Sequence, residues 1–397
     1  MSNWITRQEP KSWIGKQWSL LTFAWKYEGN LARKFKFWGF ARLAARKGVI
    51  HFRIPRVADL YVKDWFDYDG ATKEEKKWAN ENGFSSYKMA PWYGVTKDNF
   101  TNYISDFDFY AIRNYNPQRD ILAWYENKLN TYFLLAPFRD SMPRHYYYIY
   151  GGRIMPLDVD VAADATVDSL VQLLDRGGAF AIKACYGGHG VGFYKIERKD
   201  GVFFVNEKMT SRDELATVFG ELDNYIVTEY VRPHSKFRQM CGDDAFAVIR
   251  AITVFDPVDG PQLTCCEIRL GCKAAGVTTD HEGTIYCGIS LKDGVSFKPL
   301  YRQSEEVYTA CERHPDTQVP LAGFVLPNFE ALRKLVLSIS RKVPMTPYLV
   351  MDIIPTDTGF SILEINSHGQ VRVMEPFYPF GANRYNRKVF KLGQDRN

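Results

Sequence analysis

Apolar and polar residues alternate along Met351-Asp352-Ile353-Ile354 and again along Phe360-Ser361-Ile362-Leu363-Glu364-Ile365-Asn366-Ser367. The pattern predicts two half-buried strands joined by the turn Thr356-Asp357-Thr358-Gly359. Upstream, Ala179 to Cys185 and Phe193 to Glu197 predict strands around the glycine-rich turn Gly187 to Gly192, and Asp200-Gly201 turns into a strand at Phe203 to Val205. Tyr225 to Val231 predicts an apolar strand, and Ala245 to Phe255 and Gln262 to Leu270 predict two more across the turn Asp256 to Gly260. Helical spacing appears in four places. Residues 1–50 predict two helices broken near Glu28-Gly29-Asn30. Residues 116–135 predict another, with Asp120, Ile121, Leu122, Trp124, Leu129, Tyr132 and Phe133 ahead of the stop at Pro143. Val167 to Leu174 forms a short amphipathic helix closed by Gly177-Gly178. Asn328 caps a helix with Phe329, Leu332, Val336 and Ile339 on one stripe. Residues 51–115 are expected to be irregular and aromatic, with an acidic-then-basic patch from Asp64 to Lys77. The order of elements predicts an α+β fold in three segments: a helical, aromatic, basic region at 1–115, then 116–235 and 236–397.

Composition changes this picture in three ways. At 397 residues, with 46% hydrophobic and 24% charged positions, the chain is long enough for two or three subdomains of a globular protein. The seven cysteines form no CxxC pair and no His-spaced set, which argues against structural zinc and for reduced thiols in the cytosol. No run approaches the roughly 18 apolar residues of a membrane span, and Arg7, Lys11 and Lys16 interrupt any apolar signal core.

The net charge of +5 is uneven: residues 1–50 carry ten Lys/Arg against two Glu. Trp13, Trp18, Phe23, Trp25, Phe35, Phe37, Trp38 and Phe40 are interleaved with these cations. Three readings stand: a helical segment lying peripherally on an anionic membrane surface, a cradle for an acidic glycan, or a helical hairpin packed on the main domain with its cations in water. No nucleic-acid reader motif accompanies the charge, so nucleic acid is not the expected partner.

The hairpin carries the sharpest chemistry. Asp352 sits on its first strand, and Glu364 and Asn366, two apart on the second, share a face. Two carboxylates and an amide aimed at one spot suit Mg²⁺, which takes one or two carboxylates and completes its shell with phosphates and water. The alternative is a solvated hairpin, but the apolar neighbours of Glu364 make an unpartnered carboxylate there costly. Lys183 lies in the apolar strand Phe180-Ala181-Ile182-Lys183-Ala184-Cys185, ahead of Gly187, Gly188, His189, Gly190 and Gly192. Glycines let backbone N–H groups approach a phosphate. The loop leads into a strand and lacks GK[ST], so it suits a flap over a triphosphate and not a Walker loop. Ile226-Val227-Thr228-Glu229-Tyr230-Val231 is a strand whose end offers backbone groups to an adenine edge. Arg250 and Arg269 each occupy an apolar strand, where a guanidinium fork suits carboxylate or phosphate oxygens, with a structural ion pair to Glu267 or Asp352 as the alternative.

The succession Lys128, Lys183 with its glycine loop, Glu229-Tyr230-Val231, Arg250, Asp352 and Glu364-x-Asn366 resembles the ATP-grasp superfamily. More narrowly it resembles the sugar-transfer-associated ATP-grasp proteins of polysaccharide biosynthesis. That match rests on Asn127-Lys128-Leu129 with Met142-Pro143, Ile249-Arg250-Ala251-Ile252-Thr253, Ile268-Arg269-Leu270-Gly271, and Asp280 with Gly288-Ile289. The resemblance spans roughly residues 115–380. It implies a fold of two α+β subdomains sandwiching ATP. It also implies that Lys128 and Lys183 hold phosphates, that Gly187, Gly188, Gly190 and His189 close over them, and that Glu229, Tyr230 and Val231 read adenine. Asp352, Glu364 and Asn366 would carry Mg²⁺, and Arg250 and Arg269 would steady the transferring phosphoryl group or the acyl phosphate.

The reaction so implied is ATP-dependent activation of a carboxylate and its capture by an amine. The expected substrates are an acidic sugar or glycan and an amino acid or amine, in surface polysaccharide biosynthesis and on the cytoplasmic side. The alternative is phosphoryl transfer to a sugar hydroxyl in the same site. Asp280, His368, Gln370 and Arg372, with Glu375, are the candidates for the acceptor pocket, and His189, His281 and His368 the candidate bases. Departures from the family pattern are Ala247-Val248 where Asn-Thr is usual, Asp280-His281 and Cys287-Gly288 where Asp-Asn and Gly-Gly are usual, and Arg232-Pro233-His234-Ser235-Lys236 where an acidic ribose ligand is usual.

Overall fold

The computed structural model describes residues 13–49, 53–111, 124–125, 127–158, 160, 165–187, 192–273, 281–304, 307–343, 346–367, 369 and 371–392. The chain divides into two compact units, Met1–Pro117 with Gln370–Asn397, and Gln118–Gly369.

The first unit is helical: α1 (Trp13–Trp25), α2 (Leu31–Arg46), α3 (Ile54–Phe66), α4 (Lys73–Glu81) and α5 (Asp106–Ala111). The break between α1 and α2 falls where the sequence predicts it. Gly29 has φ of +133°, and the Asn30 side chain caps α2 by accepting from the Arg33 N–H at 3.1 Å. The described part of 51–115, expected to be irregular, holds α3, α4 and α5. In α3, Ile54, Val57, Ala58, Tyr61 and Val62 form a buried stripe at helical spacing. In α4, Thr72 and Glu75 form a reciprocal capping box. The rings of Tyr61 and Phe107 stack at 4.9 Å, with Phe40 at 5.3 Å from Tyr61.

Of the charged patch expected at 64–77, Asp64 and Lys76 are buried, while Asp67, Asp69, Lys73, Glu74 and Lys77 are exposed. Asp64 accepts from the Ser86 N–H and hydroxyl, both at 2.9 Å, and the Lys76 ammonium donates to the Trp65 carbonyl at 3.0 Å. The segment after Gly369, grouped by sequence with the preceding strands, belongs to this helical unit. Its Glu375 is fully buried and accepts from the Ile104 N–H at 2.7 Å and the Tyr93 hydroxyl at 2.5 Å.

The second unit holds two antiparallel seven-stranded sheets. The first runs β2-β1-β7-β3-β4-β5-β6, from β1 (His145–Tyr150), β2 (Arg153–Pro156), β3 (Ala179–Ala184), β4 (Phe193–Lys199), β5 (Val202–Val205), β6 (Lys208–Thr210) and β7 (Tyr225–Glu229). The second runs β12-β11-β10-β9-β8-β13-β14, from β8 (Ala247–Asp256), β9 (Gly260–Leu270), β10 (Ile285–Ile289), β11 (Ser296–Arg302), β12 (Tyr308–Ala310), β13 (Tyr348–Thr356) and β14 (Gly359–Asn366). Its helices are α6 (Lys128–Leu134), α7 (Val167–Gly177), α8 (Arg212–Glu221), α9 (Ser235–Cys241) and α10 (Phe329–Lys342). Gly178 ends α7 with φ of +71°, as the glycine pair predicts. The α10 stripe Phe329, Leu332, Val336 and Ile339 is buried, and α10 lies against β8 and β9. Asn328 stands at its N-terminus in the left-handed region, φ +54°, and its side chain makes no capping bond, contrary to the sequence expectation. The core of this unit gathers Ile249, Ala251, Ile268, Met351, Ile353 and Ile362 with the α10 stripe.

Candidate active site

Antiparallel register sets a row of charged side chains across the second sheet. Glu364 on β14 pairs with Asp352 on β13, Asp352 with Arg250 on β8, and Arg250 with Glu267 on β9. Residues directly opposite share a face, so this row stands on one side of the sheet. At the same point the β13–β14 register shifts: Ile353 pairs with Ile362, so Leu363 is an extra residue beside Glu364. Such bulges re-aim side chains at functional edges.

Arg250 grips Asp352 with both arms of its fork, Nε to Oδ1 and Nη2 to Oδ2, each at 2.8 Å. Burial alone would push the Asp352 carboxyl up. The charge and hydrogen bonds of Arg250, and the charge of Arg269, outweigh it and hold Asp352 below the usual carboxylate range. Arg269, 1% exposed, donates to Glu267 at 2.9 Å and lies 5.3 Å from the centre of the Tyr286 ring. Both arginines thus face the carboxylates that the sequence offers as their structural partners.

Glu364 is more open, its side chain 28% exposed. It accepts from the Asn366 amide at 3.1 Å and pairs with the Lys128 ammonium at 3.5 Å. Lys128 heads α6, where the Asn127 side chain accepts from the Leu129 and Asn130 N–H groups. Its ammonium also donates to the Gly187 carbonyl at 3.1 Å, and its N–H to the Cys185 carbonyl at 3.0 Å. Gly187, at φ +116°, occupies a backbone region that side-chain-bearing residues rarely adopt. Burial pushes the Lys183 ammonium on β3 down to about 8, with the charge of Lys128 acting the same way and Glu364 opposing. Two cations therefore face one open carboxylate, an arrangement that accepts further anionic charge.

At the end of β7, Glu229 is exposed, and its carboxylate accepts from the Arg144 N–H at 3.2 Å. Tyr230 and Val231 are half-buried beyond the strand end. Sequence reasoning missed Lys195. Its ammonium is buried, 3.1 Å from Glu197 and 4.9 Å from the centre of the Tyr230 ring. It missed His145 too, whose ring lies tilted against Tyr132 at 4.5 Å and is pushed by burial down to about 4, so it stays neutral. The signal for Lys195 was available, since it alternates with Tyr194 and Ile196 on a strand beside β3.

The structure brings together Lys128, Gly187, Glu364 and Asn366 by direct contact, joins Asp352 to Arg250 and Arg269 to Glu267, and sets Lys183 within electrostatic reach of Lys128 and Glu364. Gly188, His189, Gly190, Asp280, His368 and Gln370 lie outside the described residues. Arg372 belongs to the helical unit, where its guanidinium lies 5.8 Å from the centre of the Tyr87 ring. Glu375, expected beside an acceptor, is instead enclosed in that unit by Ile104, Tyr93 and Lys88.

The donors around Glu364 fit a hard divalent cation: Asp352, Glu364 and Asn366 offer oxygen only. Each Asp352 oxygen keeps a lone pair beyond its bond to Arg250. Among the described residues no group of three or more His, Cys, Asp or Glu is placed to hold a metal ion.

Several solved structures are similar to this chain. A D-alanine–D-alanine ligase from Bacillus anthracis is 12% identical over 68% of this chain and 67% of its own, with a TM-score of 0.37. A D-alanyl-alanine synthetase A from Vibrio cholerae is 12% identical over 68% and 66%, with a TM-score of 0.38. The ATP-grasp ligase PsnB, solved with a minimal precursor, is 14% identical over 70% and 62%, with a TM-score of 0.35. Identities and scores this low say nothing of the reaction. The alignments span 46% to 67% of the length of the first three such structures. No curated protein matches the chain. Lys128, Lys183, the glycine-rich segment and the carboxylate hairpin all fall within residues 108–378, which match the model of the sugar-transfer-associated ATP-grasp family, and the chain belongs to that family.

Proposed function

We propose that the protein is an ATP- and Mg²⁺-dependent carboxylate–amine ligase that joins an amine or amino acid to an acidic sugar through an acyl phosphate. One observation carries the reading: Lys128 pairs with the open carboxylate Glu364, which lies within electrostatic reach of Lys183 and rests against Asn366 in a hairpin locked by the Asp352–Arg250 fork. Family membership supports ATP as the nucleotide. The substrate carboxylate attacks the γ-phosphorus, the bond to ADP breaks, and the amine then displaces phosphate from the acyl carbon.

Lys128 and Lys183 offset negative charge on the transferring phosphates. A phosphate beside Lys183 restores the charge that burial disfavours. Glu364, Asn366 and Asp352 would hold Mg²⁺, which when bound neutralises phosphate oxygens and orders them. Arg250 keeps Asp352 ionised and fixed in direction, and Arg269 acts on Asp352 only through its charge, as a positioning residue. Tyr230 and Val231 present backbone groups to adenine, with the Lys195 ammonium against the Tyr230 ring and Glu197 paired to Lys195. Holding acid, amine and nucleotide together is worth roughly 7–11 kcal/mol of barrier in well-oriented systems.

The test is a matrix of acidic sugars against amines, read by ADP release and adduct mass. The reading expects ADP and inorganic phosphate in equal amounts and an adduct lighter than its two parts by one water. An acceptor that gains a phosphoryl group instead overturns it in favour of a kinase. ADP release by no pair at all, from protein that binds ATP, overturns it as well.

A further inference from the structure

Exposed apolar side chains concentrate on the α1–α2 hairpin. Trp18, Leu21 and Trp25 are 67, 43 and 77% exposed, and their spacing puts them on one face of α1, while Leu20 and Ala24 pack inward. Leu31 and Phe35, one turn apart on α2, are 66 and 64% exposed. Lys34 links the two helices: its ammonium donates to the Trp25 carbonyl at 2.9 Å and lies 5.5 Å from the centre of the Trp25 ring. Single exposed apolar residues are ordinary, but five large ones on one helical hairpin mark an interaction surface.

The charge around them selects the partner. Residues 13–49 carry Glu28 as their one acid, against Lys16, Lys26, Arg33, Lys34, Lys36, Arg42, Arg46 and Lys47. Lys26 and Arg46 are exposed, Arg33 is paired with Asp67, and the Lys36 ammonium lies 3.5 Å from the centre of the Trp65 ring. The partner must therefore take tryptophan, leucine and phenylalanine into an apolar layer and present negative charge beside it. A nucleic acid offers only the second. An anionic bilayer offers both, and tryptophan favours the boundary between its headgroups and acyl chains. No described helix is long and apolar enough to cross a membrane, so the contact is one of lying on the surface.

We propose that the α1–α2 hairpin docks on the surface of an anionic lipid bilayer, with Trp18, Leu21, Trp25, Leu31 and Phe35 sunk to headgroup level and the hairpin cations against the anionic headgroups. This assignment is independent of the reaction proposed above.

The test is sedimentation of the full chain with phosphatidylcholine vesicles and with vesicles in which about one third of the lipid is phosphatidylglycerol. The chain is expected to partition at least about 10-fold more strongly onto the anionic vesicles, and the preference is expected to fall as salt is raised. Combined W18S, W25S and F35S substitutions lie at exposed positions and leave the unfolding midpoint unchanged, yet they reduce partitioning about 10-fold. Equal partition onto both vesicles, none onto either, or undiminished binding by the triple variant would overturn the assignment. So would gel filtration in which the wild type self-associates and the triple variant does not, because the occupant of the face is then a second copy. Binding of an acidic polysaccharide, lost in the triple variant while vesicles are ignored, overturns it too.

Discussion

Two groups of charges in the protein differ in what is left unsatisfied. In the helical unit, Lys88 sits 2.8 Å from Asp106 and 3.6 Å from Glu375, all of them buried. Asp106 also accepts from the Ser85 N–H and hydroxyl at 2.8 Å, and Glu375 from Ile104 and Tyr93. Burial works against the Lys88 ammonium, but its two carboxylates outweigh this and hold it above its ordinary value. The carboxylates here are enclosed and bonded several times over. In the sheet unit, Lys183 is pushed down to about 8 and the Glu364 side chain remains 28% exposed. A closed, saturated network fixes a fold. An open one with cations in excess has charge to give to a ligand.

The contrast predicts opposite consequences for similar substitutions. Lys88→Met leaves two buried carboxylates without their cation, and should cost about 3–5 kcal/mol of unfolding free energy in urea titration. An unfolding midpoint within error of the wild type would show that the buried network does not hold the helical unit. Glu364→Gln should behave the other way: ATP turnover falls roughly 10²- to 10³-fold, or about 3–4 kcal/mol of transition-state stabilisation, with the urea midpoint nearly unmoved. A large midpoint shift with turnover intact would exchange the roles assigned to the two groups.

A subtler effect comes from Lys183. With a value near 8 in the free protein, it is about half protonated at pH 8, and a bound phosphate restores its proton. Nucleotide binding at that pH should therefore take up about half a proton, and affinity should fall as pH rises from about 8 toward 10. Calorimetry in buffers of different ionisation enthalpy measures this, and Lys183→Met should abolish the uptake. The smallest effect belongs to a surface pair: Arg212→Ala, which removes the exposed partner of Asp168, should change stability by less than about 0.5 kcal/mol.

Legibility followed the range of the interactions. The carboxylate hairpin, the strands on either side of the glycine-rich segment and the α10 stripe rest on local periodicity, and each formed where the pattern put it. The α3 stripe and the Thr72–Glu75 capping box were equally local, but the dense aromatics of 51–115 masked them. β10 is buried along its whole length, from Ile285 to Ile289, so it shows no alternation to read. Cross-strand partners are longer-ranged still. That Arg250 would grip Asp352, 102 residues away, stood as one alternative, and only register decided it. The place of Glu375 was beyond sequence reading, because its bond to Tyr93 spans 282 residues. Near the hairpin in sequence, it looked like part of the site, and its burial shows instead a fastening of the helical unit.

The central claim is that the open charges of the sheet unit grip a nucleotide and its metal. A crystal structure with magnesium and the non-hydrolysable analogue AMP-PNP tests it most directly. The account predicts phosphate oxygens at hydrogen-bonding distance from Lys128 and Lys183, with the cation on Glu364 and Asn366. A nucleotide bound away from these residues, or metal density that touches neither carboxylate of the hairpin, would contradict it.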